Sequence, residues 1–119
     1  MRFQFTELHG FTRRWRKELG LGDDDLRILQ IEIMEDADGE GVMRGTGGLR
    51  KRRFAPPSWR TGKSGALRVG YAVFPDAARV ILVTAFAKST QANLGRDERN
   101  AIRQLLERIG RALAEGESV

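Results

Sequence analysis

Residues 79–86 read RVILVTAF, an almost unbroken apolar run. A strand with one wet face alternates apolar and polar residues. A continuous run instead marks a strand buried on both faces, so this segment is expected at the centre of a sheet. Just before it, LRVGYAVF (67–74) does alternate, with Leu67, Val69, Tyr71 and Val73 on one face, and Pro75-Asp76 supplies the turn between the two. A third strand is expected from Leu49 to Ala55. Ala55-Pro56-Pro57 must leave it, because proline cannot donate to a ladder.

The flanks are mostly helical. DERNAIRQLLERIGRAL (97–113) places Ile102, Leu105, Leu106, Ile109 and Leu113 at helical spacing, an amphipathic helix. At the other end, Phe3 and Phe5 alternate with polar neighbours as a short strand. Thr12 can cap a short helix carrying Trp15 and Leu19, which Gly20 stops. Asp23, Asp24 and Asp25 then favour the start of a second helix whose Leu26, Leu29, Ile33 and Ala37 share one face. LRILQIEIM within it also alternates as a strand would, and DADGEG (36–41) ends it. The order β–α–α–β–β–β–α predicts an α+β domain over residues 1–119: an N-terminal strand and helical hairpin, then a twisted antiparallel sheet and a C-terminal helix.

At 119 residues, 40% hydrophobic and 31% charged, the chain has the composition of one soluble globular domain. No apolar run approaches a membrane span and the polar start MRFQFTELHG lacks a signal-peptide core, so the expected location is the cytoplasm. With no cysteine and one histidine, His9, thiolate catalysis is excluded and a histidine-rich metal site or His-based triad is not expected. No cofactor or metal is expected. Chemistry here must lean on arginine and lysine.

Those cations are unevenly spread. From Gly41 to Pro75 there is no acid, yet Arg44, Arg50, Lys51, Arg52, Arg53, Arg60, Lys63 and Arg68 are basic. A chain of net charge +5 thus carries +8 in that window and −3 outside it. Seventeen of the 21 cations are arginine, whose planar fork matches phosphate and stacks on bases. GC-rich coding also raises arginine, but does not explain why acids avoid this window. The acids instead gather in the second helix. The segregation points to a polyanionic partner.

Several residues in the window are candidates. On a strand, Lys51 and Arg53 point to one face and Arg50 and Arg52 to the other. Arg68, opposite the Leu67/Val69/Tyr71 series on the next strand, can share the face of Lys51 and Arg53. The plain alternative is that edge-strand charges only protect against aggregation. Trp59, beside Arg60 in the loop, can stack on a base or cap a core edge. Gly62-Lys63-Ser64 looks like the end of a P-loop, but Pro57 stands where its first glycine belongs and the segment leads into a strand rather than a helix. It is not a nucleotide site, and Lys63 is left as a cation near a loop tip. Phe86 and Lys88 end the last strand; Phe86 alone would be read as core, and His9 as structural or solvent-facing.

Three motifs together, GGLRKRRFA (47–55), GKSGALR (62–68) and FAKSTQANLGRDE (86–98), carry a resemblance in order and spacing. Over about residues 42–113 the chain resembles the RelE-type toxins of type II toxin–antitoxin systems, within the RelE/ParE superfamily. It departs at Ala66, where many relatives have a second glycine, and at Phe86, where some have a tyrosine. The resemblance implies a ribosome-dependent mRNA endonuclease that inhibits translation, with ribosome and mRNA as targets and an antitoxin, often of helix-turn-helix type, as neutralising partner. It assigns catalysis to Lys51, Arg53, Lys63 and Arg68, and RNA or ribosome contacts to Arg50, Arg52, Trp59, Arg60, Phe86 and Lys88. Like charge disfavours protonation, so a lysine crowded by arginines can serve as base through its neutral amine; Lys51 is the first candidate and Lys63 the second. Two other readings remain: a ParE-like gyrase poison, in which such a cationic cluster is usually thinned, and an RNA- or ribosome-binding protein that does not cleave.

Overall fold

The computed structural model describes residues 2–60, 66–87 and 94–119. Its four-stranded sheet has β4 (Arg79–Ala87) in the interior, as the apolar run 79–86 predicts. On one side β4 pairs antiparallel with β3 (Leu67–Phe74), which pairs antiparallel with β2 (Arg50–Phe54). On the other side it takes β1 (Gln4–Glu7) in parallel, with Gln4 opposite Arg79. The sheet is therefore mixed rather than antiparallel throughout. A tight turn forces antiparallel pairing, and none joins β1 to β4, so the sequence between them leaves the direction open.

Helices cover both faces. On the first, α1 (His9–Arg13) runs into a π-helical turn at Arg14–Glu18. Phe11 and Trp15 are fully buried there and stack with ring centroids 5.4 Å apart; fully burying an aromatic of this kind is worth about 1.5–3 kcal/mol. Thr12 does not cap this helix. The helix starts at His9, and the Thr12 hydroxyl sits within it, donating to the Glu7 carboxylate at 2.9 Å. Gly20 ends the segment with φ +65°, a left-handed turn that glycine adopts freely.

α2 (Asp23–Glu35) confirms the helical reading of LRILQIEIM, burying Leu26, Leu29 and Ile33 against the same sheet face. Ala37 lies past its end. On the opposite face α3 (Arg96–Ala114) buries Leu106 and Ile109 against Ala72, Ile81 and Val83.

One irregularity sets what each face carries. Tyr71 pairs with Leu82, but the next pair along is Gly70 with Thr84, so Val83 is an extra residue in β4. Such a bulge reverses the side-chain alternation beyond it. Before it, Val80 and Leu82 face α1 and α2; after it, Ala85 takes that face and Phe86 the other.

Candidate functional site: a cationic cleft

Strand period carries the four consecutive cations of β2 to two destinations. Phe54 is buried beneath α1 and α2, so Arg52 and Arg50 lie on that face and Lys51 and Arg53 on the other. Arg52 is nearly covered, its side chain only 11% exposed, and lies among acids at the end of α2. It approaches Glu32 at 3.9 Å and Asp36 at 3.7 Å, and donates to the Asp36 carbonyl at 2.9 Å. Arg50 donates to the Asp38 carbonyl at 3.2 Å and pairs with its carboxylate. Both are thus internally neutralised.

Lys51 and Arg53 face an open cleft of about 260 Å³. Arg53 stands opposite Arg68 of β3, and Lys51 opposite Gly70, so all three cations share this face, as the alternation predicts. Gly70 keeps the floor low: a Cβ there would come within 3.0 Å of Thr84 and 3.1 Å of Leu49. Phe86, opposite Arg68, forms the apolar wall with Met43 and Leu94. Its presence there depends on the Val83 bulge. Neither Lys51 nor Arg68 forms an ion pair among the described residues.

Acids gather in α2 as expected, but one from beyond its end, Glu40, enters the cleft. Glu40 accepts from the Arg53 backbone N–H at 2.8 Å and from its Nε–H at 3.4 Å. Burial pushes the Glu40 carboxyl up, but the hydrogen bonds and charge of Arg53, with the charge of Arg68, prevail and hold it below the ordinary carboxylate range. The segment DADGEG therefore does more than end a helix. Glu40 N–H donates to the Lys51 carbonyl at 2.9 Å and Lys51 N–H to that of Gly41 at 3.0 Å, which lays the segment along β2. Gly39 has φ +59°, and a Cβ on it would lie 2.9 Å from the Lys51 carbonyl and in hard collision with the Tyr71 hydroxyl, so glycine alone fits. The Asp-Gly-Glu run was the only sequence signal for this arrival.

The remaining candidates are dispersed. Trp59 ends a 3₁₀ turn (Pro57–Trp59) and is half-buried against the α1/α2 core, on the sheet face opposite Lys51, Arg53 and Arg68. Arg60, next to it, is exposed with φ 49°. Lys63 and Lys88 lie outside the described residues. The Leu67–Ala87 pair, from which both segments depart, adjoins Arg68 and Phe86 at the cleft end of the sheet. Among the described residues, no three His, Asp or Glu side chains come together as a metal site, and no helix is long and apolar enough to cross a membrane.

The four-stranded mixed sheet, with helices on both faces, gives the chain a RelE-like α+β fold. Among solved structures it is similar to the E. coli toxin RelE, seen in the free state as a double arginine-to-alanine mutant. The match has a TM-score of 0.53 and 19% identity, over 77% of this chain and 90% of that one. No family model matches the sequence.

Proposed function

We propose that the chain is the toxin of a type II toxin–antitoxin system, a ribosome-dependent mRNA endonuclease acting in the cytoplasm. The observation that carries this reading is the convergence of Lys51, Arg53 and Arg68 beside Phe86, in an open cleft on a RelE-like fold. At about 260 Å³ the cleft is slightly below the roughly 300 Å³ where small-molecule sites begin, and it suits a phosphodiester with its sugar.

In the proposed reaction a base, Lys51 or in second place Lys63, takes the proton of an RNA 2′-OH. The freed oxygen bonds to the adjacent phosphorus, the P–O5′ bond breaks, and O5′ takes a proton from water, which the protonated base then restores. The products are a 2′,3′-cyclic phosphate and a 5′-hydroxyl. Arg53 and Arg68 stabilise the charge gathering on the phosphorane oxygens. Phe86 borders the cleft, and Lys88 is a further candidate for RNA or ribosome contact. Trp59 and Arg60, with Arg50 and Arg52 whose charges are partly met by Asp38, Glu32 and Asp36, are candidates for the wider surface. The ribosome aligns the scissile bond, an effect worth several orders of magnitude. An antitoxin neutralises the protein, steered to the basic face by acidic or amphipathic segments.

The test is in vitro cleavage of ribosome-bound mRNA. A 2′-deoxy nucleotide 5′ of the cut should abolish cleavage, and free RNA should be cut poorly. A 5′-phosphate product, or unchanged cutting of the 2′-deoxy substrate, overturns the mechanism. Harmless expression of the chain without its antitoxin counts against the toxin reading.

A further inference from the structure

We infer that Glu40 is a positioning residue: it fixes the Arg53 guanidinium so that its two terminal nitrogens, and not Nε, meet the scissile phosphate. The inference rests on the endonuclease reading above. It starts from Glu40, the one carboxylate among the described residues that line the cleft with Lys51, Arg53 and Arg68.

A carboxylate beside phosphate-binding arginines weakens the attraction for RNA, so it needs a compensating role. Its geometry indicates one. A single oxygen, Oε2, receives both the Arg53 backbone N–H and its Nε–H, which ties the base and the neck of the same side chain to one point. Arginine has five donors in a rigid fork and grips an oxyanion either side-on, through Nε and one terminal nitrogen, or end-on, through both terminal nitrogens. With Nε engaged by Glu40, the end-on mode remains. No described partner takes either terminal nitrogen.

The anchor is itself held. The backbone of Glu40 is bonded to Lys51, the residue two before Arg53 and the first candidate base. Upstream, Tyr71 Oη donates to the Ala37 carbonyl at 2.9 Å and Arg52 to that of Asp36. Segment 36–41 is thus fixed to β2 and β3, and Glu40 reaches the cleft as part of that frame. Acting as the general base is a poorer role for this carboxylate, since the two bonds and the charge of Arg53 hold it below the ordinary carboxylate range and make it a weaker base.

Single-turnover cleavage on ribosome complexes tests the assignment with Glu40→Ala, Glu40→Gln, Arg53→Ala and Glu40→Ala/Arg53→Ala. Misplacing a group that contacts the reacting phosphate costs about ten- to a hundredfold in rate. Glu40→Ala should lose that much in the cleavage step, with half-saturation unchanged within about twofold and melting temperature preserved. Glu40→Gln, which keeps an oxygen acceptor, should recover most of the rate. The double variant should be no slower than Arg53→Ala alone, because Glu40 has nothing left to position. If Glu40→Gln is as slow as Glu40→Ala, the carboxylate acts through its charge or as a base and the inference fails. Additive losses in the double variant, or full activity of Glu40→Ala, also overturn it. Absence of cleavage by the wild-type protein would instead refute the endonuclease reading, and Arg53→Ala serves as the control separating the two failures.

Discussion

Arg53 and Arg68 stand directly across from each other on neighbouring strands, two cations in a cross-strand pair. Like charges so placed are destabilising, and a fold has no reason of its own to keep them. Replacing either with alanine should leave stability within about 0.5 kcal/mol of wild type, or raise it slightly. Cleavage should fall by about a hundredfold or more, as when one donor to a developing oxyanion is removed. Thermal melts alongside cleavage rates check both halves. A melting temperature that falls in step with activity would make the pair structural.

Arg52 and Arg50 should behave in the opposite sense. Arg52→Ala removes a nearly covered guanidinium from Glu32, Asp36 and the Asp36 carbonyl, and should cost about 1–3 kcal/mol. Arg50→Ala breaks a more open contact, with an Asp38 side chain 88% exposed, and should cost under about 1 kcal/mol. Urea titrations of the two variants separate them. Equal costs would refute the division of labour along β2.

The single tyrosine offers a clean optical probe. Burial pushes the Tyr71 hydroxyl up, with Asp36 adding to the shift and Arg52 and Arg50 opposing it. The neutral phenol is therefore the form favoured by the fold. Its contribution to stability is fully present below the ordinary tyrosine value near pH 10 and is lost as pH rises through the folded value. Phenolate absorbance should rise at higher pH in the folded protein than in the urea-unfolded chain, and Tyr71→Phe should remove this part of the pH dependence of stability. Phenolate forming at the same or lower pH in the folded protein than in the unfolded chain would contradict it.

Asp25 links the start of α2 to the turn before the 61–65 segment. It is buried, and accepts from Ser58 Oγ–H at 2.6 Å and from Ser58 N–H at 3.3 Å. Asp25→Ala should cost about 1–2 kcal/mol and Ser58→Ala about 1 kcal/mol, with the double variant no worse than Asp25→Ala. Equilibrium unfolding of the three variants measures the coupling. Strictly additive losses would mean the two side chains do not act as a pair.

Where the sequence was legible, period was the reason. The run 79–86 located the central strand, the spacing of Leu106 and Ile109 located α3, and alternation alone sorted Lys51 and Arg53 from Arg50 and Arg52. The rest depended on contacts between distant segments. Nothing local specifies that β1 lies parallel to β4. The Val83 bulge is invisible in an apolar run where every residue is buried on some face, so the side taken by Phe86 could not be counted out from Arg79. Glu40 reaches the cleft because Gly39 and the Tyr71 hydroxyl fit together, and the two are far apart in the chain.

The pairing of β1 with β4 also bears on how the protein is made. Its first strand must wait for a partner some seventy-five residues later, Gln4 for Arg79, before the sheet can close. Contacts this distant in sequence slow folding, and they cannot form on a nascent chain until β4 has emerged from the ribosome. Thr84 and Phe86 of β4 are themselves part of the cleft. A chain whose synthesis stops before residue 84 therefore lacks the cleft, which takes shape only once β4 has emerged and paired with β1 and β3.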